Sequence, residues 1–381
     1  MAAKKPQVLP DPKVDRTRRR KVLAEAARAA KVDALLVSRP ADVTYLCGFT
    51  GEDSFLLLGR HLACLITDGR FAEQARRECP RIDVHVRSGP MTKAVAQFAA
   101  GGRIRRLGIQ ATHMTVAMRD ALSATIKGIQ VRPVPDILLR MRAVKDAAEV
   151  AGIIRSVRTA ERAFRQLVAG GAKALLGRTE RDVAAELDWR MRRNGADSAA
   201  FDTIVAAGPN SALPHHRPGT DKVRAGQPLL IDWGAWAGGF SSDLTRVVFP
   251  ARIPPALRGV YELVRRARTV GLAALAGGSK AAEADLAARK VIESAGYGEC
   301  FVHGLGHGLG RGRGNQEVHE LPHLSRWSTE TLRKGMVVTV EPAIYLPGVG
   351  GIRIEDDVLV TAGGCRKLST LPVAAAAMVL R

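Results

Sequence analysis

Four carboxylates and one imidazole stand in or beside apolar segments of the C-terminal half, and their burial constrains the fold more than any other feature. Asp232 closes LLID, and Asp243, eleven residues on, opens DLTRVVF. His307 lies in FVHGLGHGLG, Glu341 follows VVTV, and Glu355 sits in GGIRIEDDVLV. An ionised side chain taken out of water is too costly to remain uncompensated. A pair of divalent cations is the simplest compensation, and it obliges five side chains far apart in sequence to meet. The connecting WGAWAGGFSS carries Gly234, Gly238 and Gly239, which suit a hairpin turn, so antiparallel pairing would bring Asp232 and Asp243 to one spot. Glu341 and Glu355 repeat the arrangement around LPGVGG. Oxygen ligands favour hard ions such as Mn²⁺ or Mg²⁺, and the added imidazole favours Mn, Co or Zn. Two such ions about 3.5–4 Å apart can share a hydroxide and polarise a carbonyl. Taken singly, each carboxylate reads as a turn cap or an ion-pair partner; the five together do not.

Six of the nine histidines, His215, His216, His303, His307, His319 and His323, fall between residues 215 and 323, which supports one shared site. Glycines on both sides of His307 and directly after His303 let backbone and ligand approach closely. The segment His319–His323 reads HELPH and literally matches the H-E-x-x-H zinc-protease pattern. That pattern needs both histidines on one face of a continuous helix. Pro322 removes a backbone donor and clashes with the preceding turn, so HELPH is not read as a metal site. No G-x-S-x-G elbow and no phosphate-binding glycine loop ending in Gly-Lys-Ser/Thr occurs.

The length of 381 residues suits about two domains. No apolar run approaches the roughly 20 residues of a membrane helix, and the N-terminus lacks the apolar stretch of a signal peptide. Five cysteines without a C-x-x-C pair suit free thiols, and a cytoplasmic location is expected. The net charge of +21 raises the question of nucleic acid, for which Arg18, Arg19, Arg20 and Lys21 are the best local candidates. Aromatic residues make up only 4%, and the basic residues are spread out, so a nucleic-acid role is not expected. Residues 1–14 read as a polar tail. Helical and strand patterns then alternate from residue 15 to 142, predicting a small α/β domain. The spacing predicts long helices over 146–168 and 179–193, then a β-rich, Gly-rich remainder within a second domain, 143–381.

The segments FDTIVAAGPNSALPHHRPGT, LLIDWGAWAGGFSSDLTRVVF, FVHGLGHGLG, EVHELP and GMVVTVEPAIYLPGVGGIRIEDDVLVT together resemble the metallopeptidases of the pita-bread fold, which include methionine aminopeptidase, aminopeptidase P and prolidase. YLCGFTGEDSFLLL and LITDGRFAEQA resemble the extra N-terminal domain of the proline-specific members. The resemblance implies an α+β chain, with a creatinase-like α/β domain before a C-terminal pita-bread catalytic domain. It further implies that Asp232, Asp243, His307, Glu341 and Glu355 hold two divalent metal ions, Mn²⁺ before Co²⁺ or Zn²⁺, with Asp243 and Glu355 bridging. Glu341 would also shuttle a proton, and His215, His303, His319 and Arg353 would contact the substrate. The implied activity is an Xaa-Pro aminopeptidase, in which a metal-bound hydroxide releases the residue preceding proline. A homodimer or higher homo-oligomer is implied, and no membrane partner. The alternatives are an Xaa-Pro dipeptidase, which needs a cation such as Arg353, Arg311 or Arg313 for the free carboxylate, and a non-catalytic basic interaction protein. Two departures stand out: about five extra residues within RGRGNQ, between His307 and His319, and PAIY where PGIY is usual.

Overall fold

The computed structural model describes residues 14–315 and 317–381; most of the tail assigned to residues 1–14, and Gln316 of the insertion, lie outside the described residues. Two compact units divide the chain, one ending at Arg142 and the other running from Ala143 to Arg381. Among the described residues no helix is long and apolar enough to cross a membrane.

The first unit is a six-stranded sheet formed by β1 (Ala34–Val37), β2 (Ser54–Gly59), β3 (Ala63–Asp68), β4 (Asp83–Arg87), β5 (Arg106–Gln110) and β6 (Gln130–Val134), in the order β4-β3-β2-β1-β5-β6. Its helices are α1 (Arg16–Ala29), α2 (Pro40–Cys47), α3 (Ala72–Glu78), α4 (Met91–Gly101), α5 (Val116–Thr125) and α6 (Ile137–Ala143). Side chains alternate across a strand, so Leu35 and Val37 join a core with Leu23 of α1 and Leu46 of α2. Ala34 and Leu36 join a separate core with Val95 of α4 and Leu122 of α5. Burial on both faces explains why the central strands read as unbroken apolar runs. Helix α2, with Pro40 in its first turn, has no counterpart in the sequence reading. It also accounts for part of the basic cluster. Arg19 Nη1 donates to the Tyr45 carbonyl at 3.1 Å, and Arg20 Nη1 donates to the Leu46 carbonyl at 2.8 Å, at the C-terminal end of α2 where cations are favoured.

The second unit opens with α7 (Ala147–Val168) and α8 (Glu180–Arg193), each started by a capping box: Asp146 with Glu149, and Thr179 with Asp182. The short strand β7 (Ser198–Ala199) precedes β8 (Ile204–Ala207) and β9 (Leu229–Trp233). Then β10 (Ala235–Ala237) and β11 (Phe240–Ser241) form a hairpin, followed by β12 (Leu244–Pro250). Gly238 and Gly239 form its two-residue turn with φ of 58° and 81°, as a hairpin with two left-handed positions requires. Helices α9 (Pro255–Ala273) and α10 (Ala281–Glu293) lead to β13 (Gly306–Gly308) and β14 (Glu320–Leu324). HELPH thus lies largely on a strand, and the zinc-protease arrangement does not form. The chain then repeats the earlier pattern. β15 (Val337–Val340) and β18 (Asp356–Thr361) pair antiparallel, and the hairpin of β16 (Ala343–Leu346) and β17 (Gly350–Arg353) lies between them in sequence. β19 (Gly364–Lys367) and β20 (Val379–Leu380) complete two sheets, ordered β20-β12-β9-β8 and β14-β13-β15-β18-β19. Phe164 of α7 stacks on Trp233 of β9 at 4.6 Å, and Trp233 Nε1 donates to the Ala160 carbonyl.

A buried charge cluster ties the two sheets together. Arg246 of β12, fully buried, donates to Asp356 at 2.8 Å, to the Glu355 carbonyl and to the Thr245 carbonyl; Arg268 of α9 donates to the same Asp356. Burial opposes ionisation of Asp356, but Arg246, Arg268 and Ser369 outweigh it and hold this carboxyl below its usual range. Its stabilising effect is therefore full above the unfolded carboxylate pKa of about 3.9 and is lost as pH falls through the lower folded value. Asp356→Ala leaves two buried guanidiniums without their carboxylate and is expected to cost about 3–5 kcal/mol. Urea unfolding across pH 3–7 checks this: the wild-type protein should lose stability below about pH 4 more steeply than Asp356→Asn.

Candidate functional site

The strand ends of the two repeated units deliver the carboxylates. Asp232 lies within β9 opposite Thr245 of β12, and Asp243 immediately precedes β12. Glu341 immediately follows β15 and Glu355 immediately precedes β18, where Val340 pairs with Asp356. His307 lies on β13, beside β15. All five, with His215, His303, His319 and Arg353, line one cavity of about 770 Å³.

Asp243, His307 and Glu355 are buried and present donor atoms within 4.8 Å of one another. His307 Nε2 lies 3.5 Å from Asp243 Oδ2 and 3.6 Å from Glu341 Oε1. Its Nδ1 is 2.9 Å from the Gly308 carbonyl, so Nδ1–H donates there and the Nε2 lone pair faces the carboxylates. Around this group, Arg353 Nη2 donates to Asp232 Oδ2 at 2.6 Å, and Arg353 Nε donates to Thr245 Oγ1, whose hydroxyl donates to Glu355 Oε2 at 2.6 Å. Thr339 Oγ1 accepts from the His307 amide and donates to Glu341 Oε1. The Asp243 amide donates to Asp357 Oδ2 at 3.0 Å.

Burial first, then the repulsion of neighbouring carboxylates, raises Asp243 and Glu355 well above the usual carboxyl range, against the pull of Arg353. Glu341 is pushed up to about 7, by burial first and by Asp243 and Asp232, against the pull of His307 and Arg353. The group is thus deficient in positive charge. Among the described residues Asp232 Oδ1 is buried without a hydrogen-bond partner, a cost that a bound cation would remove. An all-oxygen set joined by one imidazole with its lone pair directed inward suits a divalent cation of the Mn, Co or Zn kind.

The histidines divide by their partners. Arg353 Nη1 donates to Tyr345 Oη at 2.6 Å, and Tyr345 Oη lies 3.0 Å from His303 Nε2. His303 Nδ1 lies 2.8 Å from the Gly304 carbonyl. The consistent set of donors runs from Arg353 to Tyr345 to His303 to Gly304, leaving His303 no ring N–H for a substrate. Burial first, then the Arg353 charge, lowers His303 to about 4, so its ring is neutral at pH 7. His319 instead packs against His307 with ring centroids 3.9 Å apart and planes tilted by 32°, so the insertion leaves it in the cavity. His216, also on the lining, is held by Glu180, at 2.7 Å.

The insertion itself packs against the fold. Arg311 lies 4.1 Å over the Phe240 ring and 3.2 Å from Glu149, and Arg313 lies 5.2 Å over the Trp236 ring. Neither arginine lines the cavity, so the expectation that they hold a substrate carboxylate is not met. Arg353 is buried and committed to Asp232, Tyr345 and Thr245. The sequence reading missed Thr245, Thr339, Tyr345, Asp357 and Glu180. Only Asp357, in the IEDD run, carried a signal, as a second carboxylate in an apolar strand.

These features define a metallopeptidase of two parts. Residues 151–362 match metallopeptidase family M24 and residues 19–144 match the creatinase/prolidase N-terminal domain, and the chain belongs to this family. The chain is 31% identical to the Xaa-Pro dipeptidase of Pyrococcus furiosus, over 89% of this chain and 93% of the relative. Among solved structures, it is similar to the Xaa-Pro dipeptidase from Bacillus anthracis, with a TM-score of 0.91, 31% identity and coverage of 96% of this chain and 100% of the other. It is also similar to an X-Pro aminopeptidase from Thermotoga maritima, with a TM-score of 0.84, 34% identity and coverage of 92% and 99%.

A carboxyl that keeps its proton up to about pH 7 must release it to bind a cation. Mn²⁺ affinity is therefore expected to fall below pH 7, by up to about tenfold per pH unit for each displaced proton. Calorimetric titration of the metal-free protein in buffers of different ionisation enthalpy counts those protons, and Glu341→Gln should release fewer.

Proposed function

We propose that this protein is a dinuclear metal-dependent dipeptidase that hydrolyses Xaa-Pro dipeptides. The observation that supports it best is the convergence of four carboxylates and His307 on one cavity, in a chain whose relatives over nine-tenths of its length include named Xaa-Pro dipeptidases. The sequence reading put the aminopeptidase first. That activity stays as the second reading because the Thermotoga maritima structure is titled an X-Pro aminopeptidase.

In this reading Asp232, Asp243, His307, Glu341 and Glu355 would hold the two ions. When bound, the ions supply Lewis acidity to the scissile carbonyl and a nucleophilic water at neutral pH. Glu341, whose Oε1 lies 3.6 Å from His307 Nε2, accepts the proton of the attacking water and passes it to the departing proline nitrogen. His319, on the cavity lining, donates to the carbonyl oxygen as negative charge develops there. His215, also on the lining, contacts the substrate. Arg353 orients Asp232 directly and Glu355 through Thr245, and it steadies His303 through Tyr345, so both act as positioning residues.

The test compares Ala-Pro with Ala-Pro-Ala on chelated and Mn²⁺-reloaded protein. Activity is expected to vanish with chelation and return with Mn²⁺, with kcat/KM favouring Ala-Pro by at least about tenfold. Asp243→Ala is expected to lose about 10³-fold in kcat. A preference for the tripeptide would move the assignment to the aminopeptidase, and activity insensitive to both chelation and Asp243→Ala would end the metallopeptidase mechanism.

A further inference from the structure

We propose that Arg217 holds the free carboxylate of the dipeptide's C-terminal proline, an inference that rests on the dipeptidase reading. Five carboxylates, Asp202, Asp232, Asp243, Glu341 and Glu355, already line the cavity. A dipeptide brings a sixth, one residue beyond the scissile carbonyl, about 3.8 Å along the chain. Its binding requires a cation within that distance of the reacting bond that is not already engaged. Among the described residues the lining includes two permanently charged cations, Arg353 and Arg217. Arg353 is buried and spends its guanidinium on Asp232, Tyr345, Thr245 and the Pro214 carbonyl. Arg217 is exposed to solvent, and no ion pair or hydrogen bond engages its side chain among the described residues.

The backbone that carries Arg217 is fixed from beneath. Glu180, fully buried, accepts from the Ala207 amide at 2.7 Å, from Asn210 Nδ2 at 2.9 Å and from the Gly219 amide at 2.9 Å, and it faces His216 Nε2 at 2.7 Å. A single carboxylate thereby anchors both ends of the segment from 207 to 219. His216 is held by Glu180, and its neighbours His215 and Arg217 line the cavity beside it. A guanidinium offers two parallel N–H donors matched to a carboxylate, and a rigid backbone reduces the entropy lost in using them. Arg217 is therefore a specificity determinant: it selects for a free terminus and takes no part in the bond cleavage.

The test uses the full-length, Mn²⁺-loaded protein with Ala-Pro and Ala-Pro-amide, which differ in the terminal charge. Arg217→Ala is expected to raise KM for Ala-Pro by about 10- to 100-fold with little change in kcat, and to have a much smaller effect on the amide. Arg217→Lys should recover part of the loss, since it keeps the charge and loses the fork. The amide also controls for folding, because a misfolded variant loses both substrates. If Arg217→Ala, shown folded by an unchanged circular-dichroism spectrum, leaves KM for Ala-Pro unchanged, or weakens acid and amide equally, the assignment to Arg217 is overturned. A wild-type preference for the acid that persists in the variant overturns Arg217 alone. A wild type indifferent to the terminal charge overturns the dipeptidase reading and Arg217 with it.

Discussion

The mutual repulsion of buried carboxylates is the constraint around which the second unit is organised. Asp243, Glu341 and Glu355 are close enough that burial and one another's charge drive them toward protonation. One guanidinium, Arg353, offsets this by direct contact with Asp232 and through Thr245 with Glu355. It leaves the group short of positive charge, as a cation-binding centre must be before it is loaded. Repulsion that would destabilise an ordinary core would here be a source of affinity, because a bound cation would remove it.

The geometry rests on repetition. Two strand pairs, each with a hairpin in its connection, place one carboxylate on each flank of the hairpin. The repeat turns a difficult problem, converging four acids, into a simpler one, docking two similar units. Arg246 and Asp356 perform that docking, since Arg246 from β12 binds both the Asp356 side chain and the Glu355 carbonyl. The residue next to a candidate ligand thus carries the structural ion pair, while the ligand itself turns to the cavity.

Much of this was legible in the sequence because it rests on local chemistry. Asp146 and Thr179 mark helix starts through their capping boxes, and Gly238-Gly239 marks a turn that only left-handed positions allow. The five candidate ligands stood out because charge in apolar strands is conspicuous. What stayed hidden depends on contacts across more than a hundred residues. Thr245 looks like an ordinary strand residue until Glu355 and Arg353 meet it. Glu180 reads as a first-turn acid, yet it reaches across to the loop that follows β8. Arg311 and Arg313 looked available for a substrate because sequence does not show the rings they stack upon. Helix α2 is only eight residues long, too short for its apolar periodicity to register.

The candidate ligands also straddle the two sheets of the second unit. Asp232 and Asp243 belong to the sheet of β9 and β12, whereas His307, Glu341 and Glu355 belong to that of β13, β15 and β18. A cation shared between them is a removable crosslink between segments more than a hundred residues apart. Because ligand bound to the native state alone adds RT ln(1 + [L]/Kd) to stability, this protein's resistance to unfolding would become a function of the metal supply around it. Scarcity would then lower the amount of intact protein as well as its turnover, so that abundance and activity report on the same pool of ions.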